Sequence, residues 1–157
     1  MKHKILIVED EINLQKNLVF ILKKEGYDVD AAEDGRIALS MMIENQYDLI
    51  LCDVRLPHID GLELLKNKDD LEYRTNFIMM TAYGTIESAI EAMKLGADEY
   101  ITKPFRNSDV IRIISRLLHI QKLEFRNNKF KEEIQKKYEL KKRIIGSSTL
   151  YTYAKSF

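Results

Sequence analysis

The sequence predicts an α/β protein: a doubly wound, five-stranded parallel sheet with helices on both faces and an extended C-terminal helix. Three observations predict it. Strand-like runs alternate with helix-like runs at regular intervals. The runs Ile5 to Val8, Leu49 to Leu51 and Phe77 to Met80 are almost continuously apolar, as central strands covered on both sides must be. Parallel neighbours also need crossovers, and right-handed crossovers put helices on both faces of the sheet. The alternation leaves the order of the strands open.

Taken in order, Lys4 to Val8 reads as the first strand. Leu14, Leu18, Ile21 and Leu22 follow at i, i+4, i+7 and i+8, a core-facing helical stripe that ends at Gly26, where glycine allows a left-handed cap. Asp28 to Ala32 is the second strand, and Asp34 can cap a second helix carrying Ile37, Ala38 and Met41. Leu49 to Asp53 is the third strand, after which Gly61 to Lys66 starts a third helix. Phe77 to Thr81 is the fourth, and Thr85 can cap a fourth helix whose Ile86, Ala89, Ile90 and Met93 are expected to face inward before Gly96. Glu99 to Thr102 is the fifth. From Ser108 a helical pattern begins that meets no glycine or proline between Phe105 and Gly146, which predicts one long or nearly continuous helix.

At 157 residues the chain has room for one well-buried domain and an appendage. Hydrophobic residues at 45% and charged residues at 32% describe a soluble globular protein, and a net charge of zero predicts no general attraction to nucleic acid or membrane. The balance is uneven along the chain: between Gln121 and Ile145 nine Lys and Arg stand against four Asp and Glu. The one cysteine, Cys52, sits inside an apolar strand pattern, so no intramolecular disulfide is expected and a buried small hydrophobe is. Glu9 cuts the first apolar stretch after four residues, too short for a signal-peptide core or a membrane span. A cytoplasmic protein is expected.

Chemistry concentrates at the ends of the strand-like runs. The segment LILCDVRLPHIDG, Leu49 to Gly61, delivers Asp53 to a strand's C-terminal end, where ligands of open α/β sheets bind. KILIVEDE delivers Glu9 and Asp10 in the same manner. Three converging acids repel one another unless a cation sits among them, and oxygen-only ligation suits Mg2+. The backbone carbonyl of Arg55 is positioned in sequence to complete the protein ligands. Asp53 then becomes a candidate phosphate acceptor. Phosphoryl transfer to a carboxylate also needs cationic or hydrogen-bonding donors, which Lys103 and Thr81, at the ends of the fifth and fourth strands, can supply. Lys103 precedes Pro104, where a cis bond is affordable and would aim the lysine inward. Each residue has a plainer role open to it: Asp10 or Glu11 as a helix cap, Thr81 as a β-branched strand terminus, Lys103 as a solvated charge before a proline turn. Four separate strand ends would each have to carry the needed residue type by accident.

These pieces resemble a response-regulator receiver domain. ILIVEDE with Glu9 and Asp10, LILCDVRLPHIDG with Asp53, Pro57 and Gly61, MMTAYG with Thr81, and GADEYITKPF with Tyr100, Lys103 and Pro104 match it in order and spacing over about 120 residues. The resemblance implies a flavodoxin-like sheet in the order 2-1-3-4-5 and transfer of a phosphoryl group from a sensor histidine kinase to Asp53. It also implies that the domain itself catalyses this transfer and its later hydrolysis with Mg2+, and that Thr81 and Tyr100 form the switch. Residues 1–120 are then the receiver domain and 121–145 a linker helix.

A long helix followed by RIIGSS, Arg143 to Ser148, resembles the linker and opening residues of the ATPase domain in NtrC-type sigma-54-dependent transcriptional activators. That likeness implies ATPase and DNA-binding domains in a full-length form. Residues 146–157 are a fragment expected to be disordered, and no GxxxxGKS/T loop occurs, so no ATPase site is expected in this chain. Ile113, Ile120, Asn127 and Ile134 recur every seven residues, with Leu117 and Tyr138 on the alternate seam and Glu124 and Lys131 interrupting it. A homodimer through the C-terminal face and this helix is one reading; a solvated helix is the other.

Two further classes of function are weighed against a phosphoacceptor regulator. A phosphatase or mutase with an aspartyl-phosphate intermediate needs a second acid two residues after the nucleophile, where Arg55 stands. Direct DNA binding has only the basic helix in its favour, with no helix-turn-helix pattern following it.

Overall fold

A computed structural model describes residues 2–82 and 84–145. The chain divides into two compact units, Met1–Leu118 and His119–Phe157. In chain order the elements are β1 (Lys4–Val8), α1 (Ile12–Lys24), β2 (Asp28–Ala32), α2 (Gly35–Glu44), β3 (Leu49–Asp53), α3 (Gly61–Lys66), a 3-10 turn (Asn67–Asp70), β4 (Asn76–Thr81), α4 (Ile86–Lys94), β5 (Glu99–Thr102) and α5 (Asn107–Ile145). The five strands form one parallel sheet in the order β2-β1-β3-β4-β5, as the family resemblance implies.

The period of two along each strand divides the core into two layers. Leu6, Val8, Ile50, Cys52, Phe77 and Met79 point to one face and pack with Ala38 and Met42 of α2, Leu64 and Leu65 of α3, and Ala92 of α4. Ile5, Ile7, Leu49, Leu51, Ile78 and Met80 point to the other, against Leu18 and Leu22 of α1 and Val110, Ile114 and Leu118 of α5. Helices therefore cover both faces, which is what the near-continuous apolar strands require. The caps anticipated at Asp34 and Thr85 are made: Asp34 Oδ1 accepts from the Ile37 N–H at 2.9 Å and Thr85 Oγ1 from the Ser88 N–H at 3.1 Å. Gly26 and Gly96 follow α1 and α4 with φ of 95° and 105°, the left-handed region that glycine enters without cost to a Cβ.

Two core assignments are corrected. In α2 Ala38 is fully buried as expected and Met41 half-buried, but the fully buried large side chain is Met42, whereas Ile37 is 42% exposed. In α4 the stripe Ile86, Ile90 and Met93 faces solvent, at 80%, 48% and 48% exposure. The side of α4 turned to the sheet is instead Ala89, Ala92 and Leu95, at i, i+3 and i+6, with Ala92 fully buried. Small side chains let a helix lie close to a sheet. Of the expected stripe only Ala89 lies on that side; the large residues are turned outward and Ala92 and Leu95 stand in their place.

Cys52 is buried as expected, and burial pushes its thiol well above the usual cysteine range. No helix of the described residues is long and apolar enough to cross a membrane.

In the second unit, α5 continues to Ile145. Ile120, Leu123, Phe130 and Ile134 are all exposed there, and with Asn127 they recur at alternating spacings of three and four. Leu123 and Phe130 stand one residue before Glu124 and Lys131. Ile113 and Leu117 belong to the first unit, where they pack partly against its core. The ATPase-like fragment from Gly146 to Phe157 lies outside the described residues.

Candidate functional site

The strands bring their chemistry to one edge because they are parallel and in matched register. Val8 stands beside Cys52, Asp53 beside Met80, and Thr81 beside Thr102. Glu9 directly follows β1, Asp53 and Thr81 end β3 and β4, and Lys103 directly follows β5. The Lys103 N–H donates to the Thr81 carbonyl at 2.7 Å, which extends the β4–β5 ladder by one step and holds the lysine beside the threonine. The Lys103–Pro104 peptide is cis.

Lys103 Nζ donates to Glu9 Oε1 at 2.5 Å and also to Asp53 Oδ2, bridging two acids from different strands. Asp53 Oδ1 accepts from the Arg55 N–H at 2.9 Å. Glu9 is entirely buried, Asp53 and Thr81 are nearly so, and Asp10 is exposed at the rim. One carboxylate oxygen from each of Glu9, Asp10 and Asp53 lies within 4.8 Å of the other two. Neither Asp10 nor Glu11 caps α1 through its side chain: the cap position is Glu11, and its side chain makes no capping bond. Burial pushes the Glu9 carboxyl up to about 7, with the charge of Asp53 adding to the push and the hydrogen bond from Lys103 opposing it. Burial works against the charged form of Lys103, but its hydrogen bonds to Asp53 and Glu9 outweigh that and raise its pKa above the usual lysine value.

The donor set fits a hard divalent cation. Three carboxylates within reach of one point, with no nitrogen or sulfur among them, suit an oxygen-ligated ion such as Mg2+, which keeps several of its waters. Chemically, the arrangement presents one half-shielded carboxylate oxygen beside a fixed ammonium. Next to it opens a cleft of about 500 Å³ whose walls include Glu11, Asn13, Leu14, Lys103, Pro104 and Phe105.

Close packing of the main chain holds this edge. A Cβ on Gly61 would stand 2.2 Å from the Asp53 carbonyl oxygen, so only glycine lets the start of α3 approach the end of β3. Tyr100 lies two residues before the end of β5, half-buried on the core layer that includes Ala92, with its hydroxyl 2.8 Å from Ser88 Oγ on α4. Sequence reasoning overlooked Ser88 because its partner is 12 residues away on another element; its only local signal was its place three residues after the Thr85 cap.

Residues 5–115 match the family model described as the response regulator receiver domain. Regulatory protein AtoC of Escherichia coli is 37% identical over 122 residues, covering 78% of this chain, which in turn spans only 26% of that relative. Among solved structures, a CheY-like response regulator receiver domain protein from Methanospirillum hungatei superposes with a TM-score of 0.75 at 32% identity, covering 79% of this chain and 99% of that one. NtrX from Brucella abortus gives 0.77 at 30% identity, covering 83% of this chain and 30% of NtrX. With its acid cluster at the sheet edge and a family match running through most of its length, the chain belongs to the response regulator receiver domain family.

Proposed function

We propose that Asp53 accepts a phosphoryl group from the phosphohistidine of a sensor histidine kinase, and that the resulting aspartyl phosphate changes contacts made by α4, β5 and the C-terminal helix. The observation that carries this reading is the bridge from Lys103 to both Glu9 and Asp53 at the carboxyl edge of the sheet. In the transfer, an Asp53 carboxylate oxygen attacks phosphorus. The bond from phosphorus to the histidine nitrogen breaks, and its electron pair stays on the imidazole. Lys103 keeps its proton and holds a phosphoryl oxygen, and the Thr81 hydroxyl donates to another. Glu9, Asp10, Asp53 and the Arg55 carbonyl are the groups that would hold Mg2+, which when bound neutralises negative charge on the transferring group. Thr81 moving toward the phosphate leaves space that the Tyr100 ring rotates to fill, a bias on two pre-existing arrangements.

The test is direct. A small-molecule phosphodonor with Mg2+ is expected to add one phosphoryl group per chain, read by intact mass. Asp53→Asn is expected to take up none. Stoichiometric labelling of that variant would refute the acceptor assignment.

The same reading extends to assembly. The seam Ile120, Leu123, Asn127, Phe130 and Ile134 is exposed at coiled-coil spacing, and an Asn among apolar seam residues favours a parallel register, so we assign it to a homodimer. Sedimentation is expected to give a dimer for the whole chain and a monomer after removal of the residues beyond His119; equal association of both would refute the assignment. The likeness to sigma-54-dependent activators supports a transcriptional role in the cytoplasm, carried by ATPase and DNA-binding domains of a longer protein.

A further inference from the structure

Thr85 and Ser88 begin α4, and Tyr100 rises from β5 toward them. We infer that Ser88 is a positioning residue for the switch: its hydroxyl latches the Tyr100 hydroxyl to the N-cap of α4, so that rotation of the ring and loosening of the first turn of α4 are one event. The inference rests on the switch role proposed above for Thr81 and Tyr100.

The geometry makes one hydroxyl the junction of two elements. Ser88 Oγ stands 2.8 Å from the Tyr100 hydroxyl, 2.9 Å from Thr85 Oγ1 and 3.1 Å from the Thr85 carbonyl oxygen. A serine hydroxyl has one proton and two lone pairs. Donating to the Thr85 carbonyl while accepting from the Thr85 and Tyr100 hydroxyls satisfies all three contacts together. Thr85 Oγ1 meanwhile accepts from the Ser88 N–H, so the cap and the latch share both residues. The segment before the cap is also pressed on β5, since a Cβ on Gly84 would come within 2.6 Å of Thr102 Oγ1. When Tyr100 turns away, Ser88 loses the hydrogen bond it accepts from that hydroxyl and the cap loses one tie to the strand. The helix affected is the one that carries Ile86, Ile90 and Met93 on its exposed face. A change at Asp53 thereby reaches an apolar surface through two hydroxyls.

The experiment compares the full chain with Ser88→Ala, Ser88→Thr and Tyr100→Phe by NMR. Side-chain couplings give the Tyr100 rotamer populations, amide exchange reports the first turn of α4, and each protein is measured with and without beryllofluoride and Mg2+. Without the phosphate mimic, Ser88→Ala is expected to raise the population of the rotamer favoured by the mimic about fivefold, the equivalent of one neutral hydrogen bond. Exchange at Ser88 and Ala89 should quicken in Tyr100→Phe, and Ser88→Thr, which keeps the hydroxyl, should match the parent. Unchanged Tyr100 couplings in Ser88→Ala would overturn the latch. So would the same change in Ser88→Thr, which would trace the effect to packing. Phosphodonor labelling run in parallel separates the two readings: absence of labelling on the parent refutes the acceptor role of Asp53, whereas the couplings of the unlabelled protein still decide the latch.

Discussion

Lys103→Ala is expected to slow labelling of Asp53 by a small-molecule phosphodonor by about 100-fold or more, the usual cost of removing one preorganised donor from a site where negative charge develops. The same substitution leaves Glu9 and Asp53 facing each other without the ammonium that now lies between them. Breaking a fully buried pair costs about 3–5 kcal/mol, but here the loss should be nearer 2 kcal/mol, because Glu9, already held at about 7, takes up a proton and removes one of the two like charges. Urea unfolding of parent and variant measures this. Mg2+ should recover much of the variant's stability and little of its labelling rate, since a cation in the acid cluster replaces the charge of Lys103 but not its donor position. Parent-like labelling kinetics in Lys103→Ala would remove the lysine from the chemistry.

Gly61→Ala should be the most damaging of the small substitutions near the site. The added Cβ meets the Asp53 carbonyl oxygen at 2.2 Å and Val54 Cα at 2.9 Å, both main-chain atoms that move only if the end of β3 moves. Overpacking against backbone places the cost near the top of the usual range, about 3 kcal/mol, or a fall in Tm on the order of 10 °C. Labelling should slow as well, because the displaced carbonyl belongs to the acceptor residue itself. Gly26→Ala is the informative contrast: nothing lies within 4 Å of its Cβ position, so only the left-handed φ of 95° opposes alanine, at about 1 kcal/mol. Thermal melts of the two variants should differ by several degrees; equal melts would show that α3 draws back from β3 at little cost.

The strand ends were legible because each apolar run stops abruptly on a polar side chain. Glu9, Asp53 and Lys103 were placed by that rule, and the structure brings all three together, with Thr81 one main-chain hydrogen bond from the lysine. Strand order was not legible from periodicity, because alternation fixes how neighbours connect and not which strands pair; the motifs supplied it by resemblance. The face of α4 was misjudged for a related reason. Periodicity says which residues share a stripe, and size suggests which stripe is buried, but Ala92 wins its place at the sheet by being small while Ile86 is left outside. The resemblance named Tyr100, but Ser88 and its contact with that ring were beyond reach, since the contact joins a helix to a strand through a fold the sequence had yet to take.

The strand order carries one more consequence. Its two outermost members, β2 and β5, each leave a row of main-chain donors and acceptors without a sheet neighbour, an invitation to strand addition and aggregation. Both carry carboxylates that an incoming strand would have to strip of water or of their partners. On β2, Asp28 lies exposed, and Asp30 accepts from the Tyr47 hydroxyl and pairs with Lys4. On β5, only four residues long, Glu99 is held by Arg116. The acidic margins therefore act as guards, keeping a sheet built for signalling from becoming a template for its own copies.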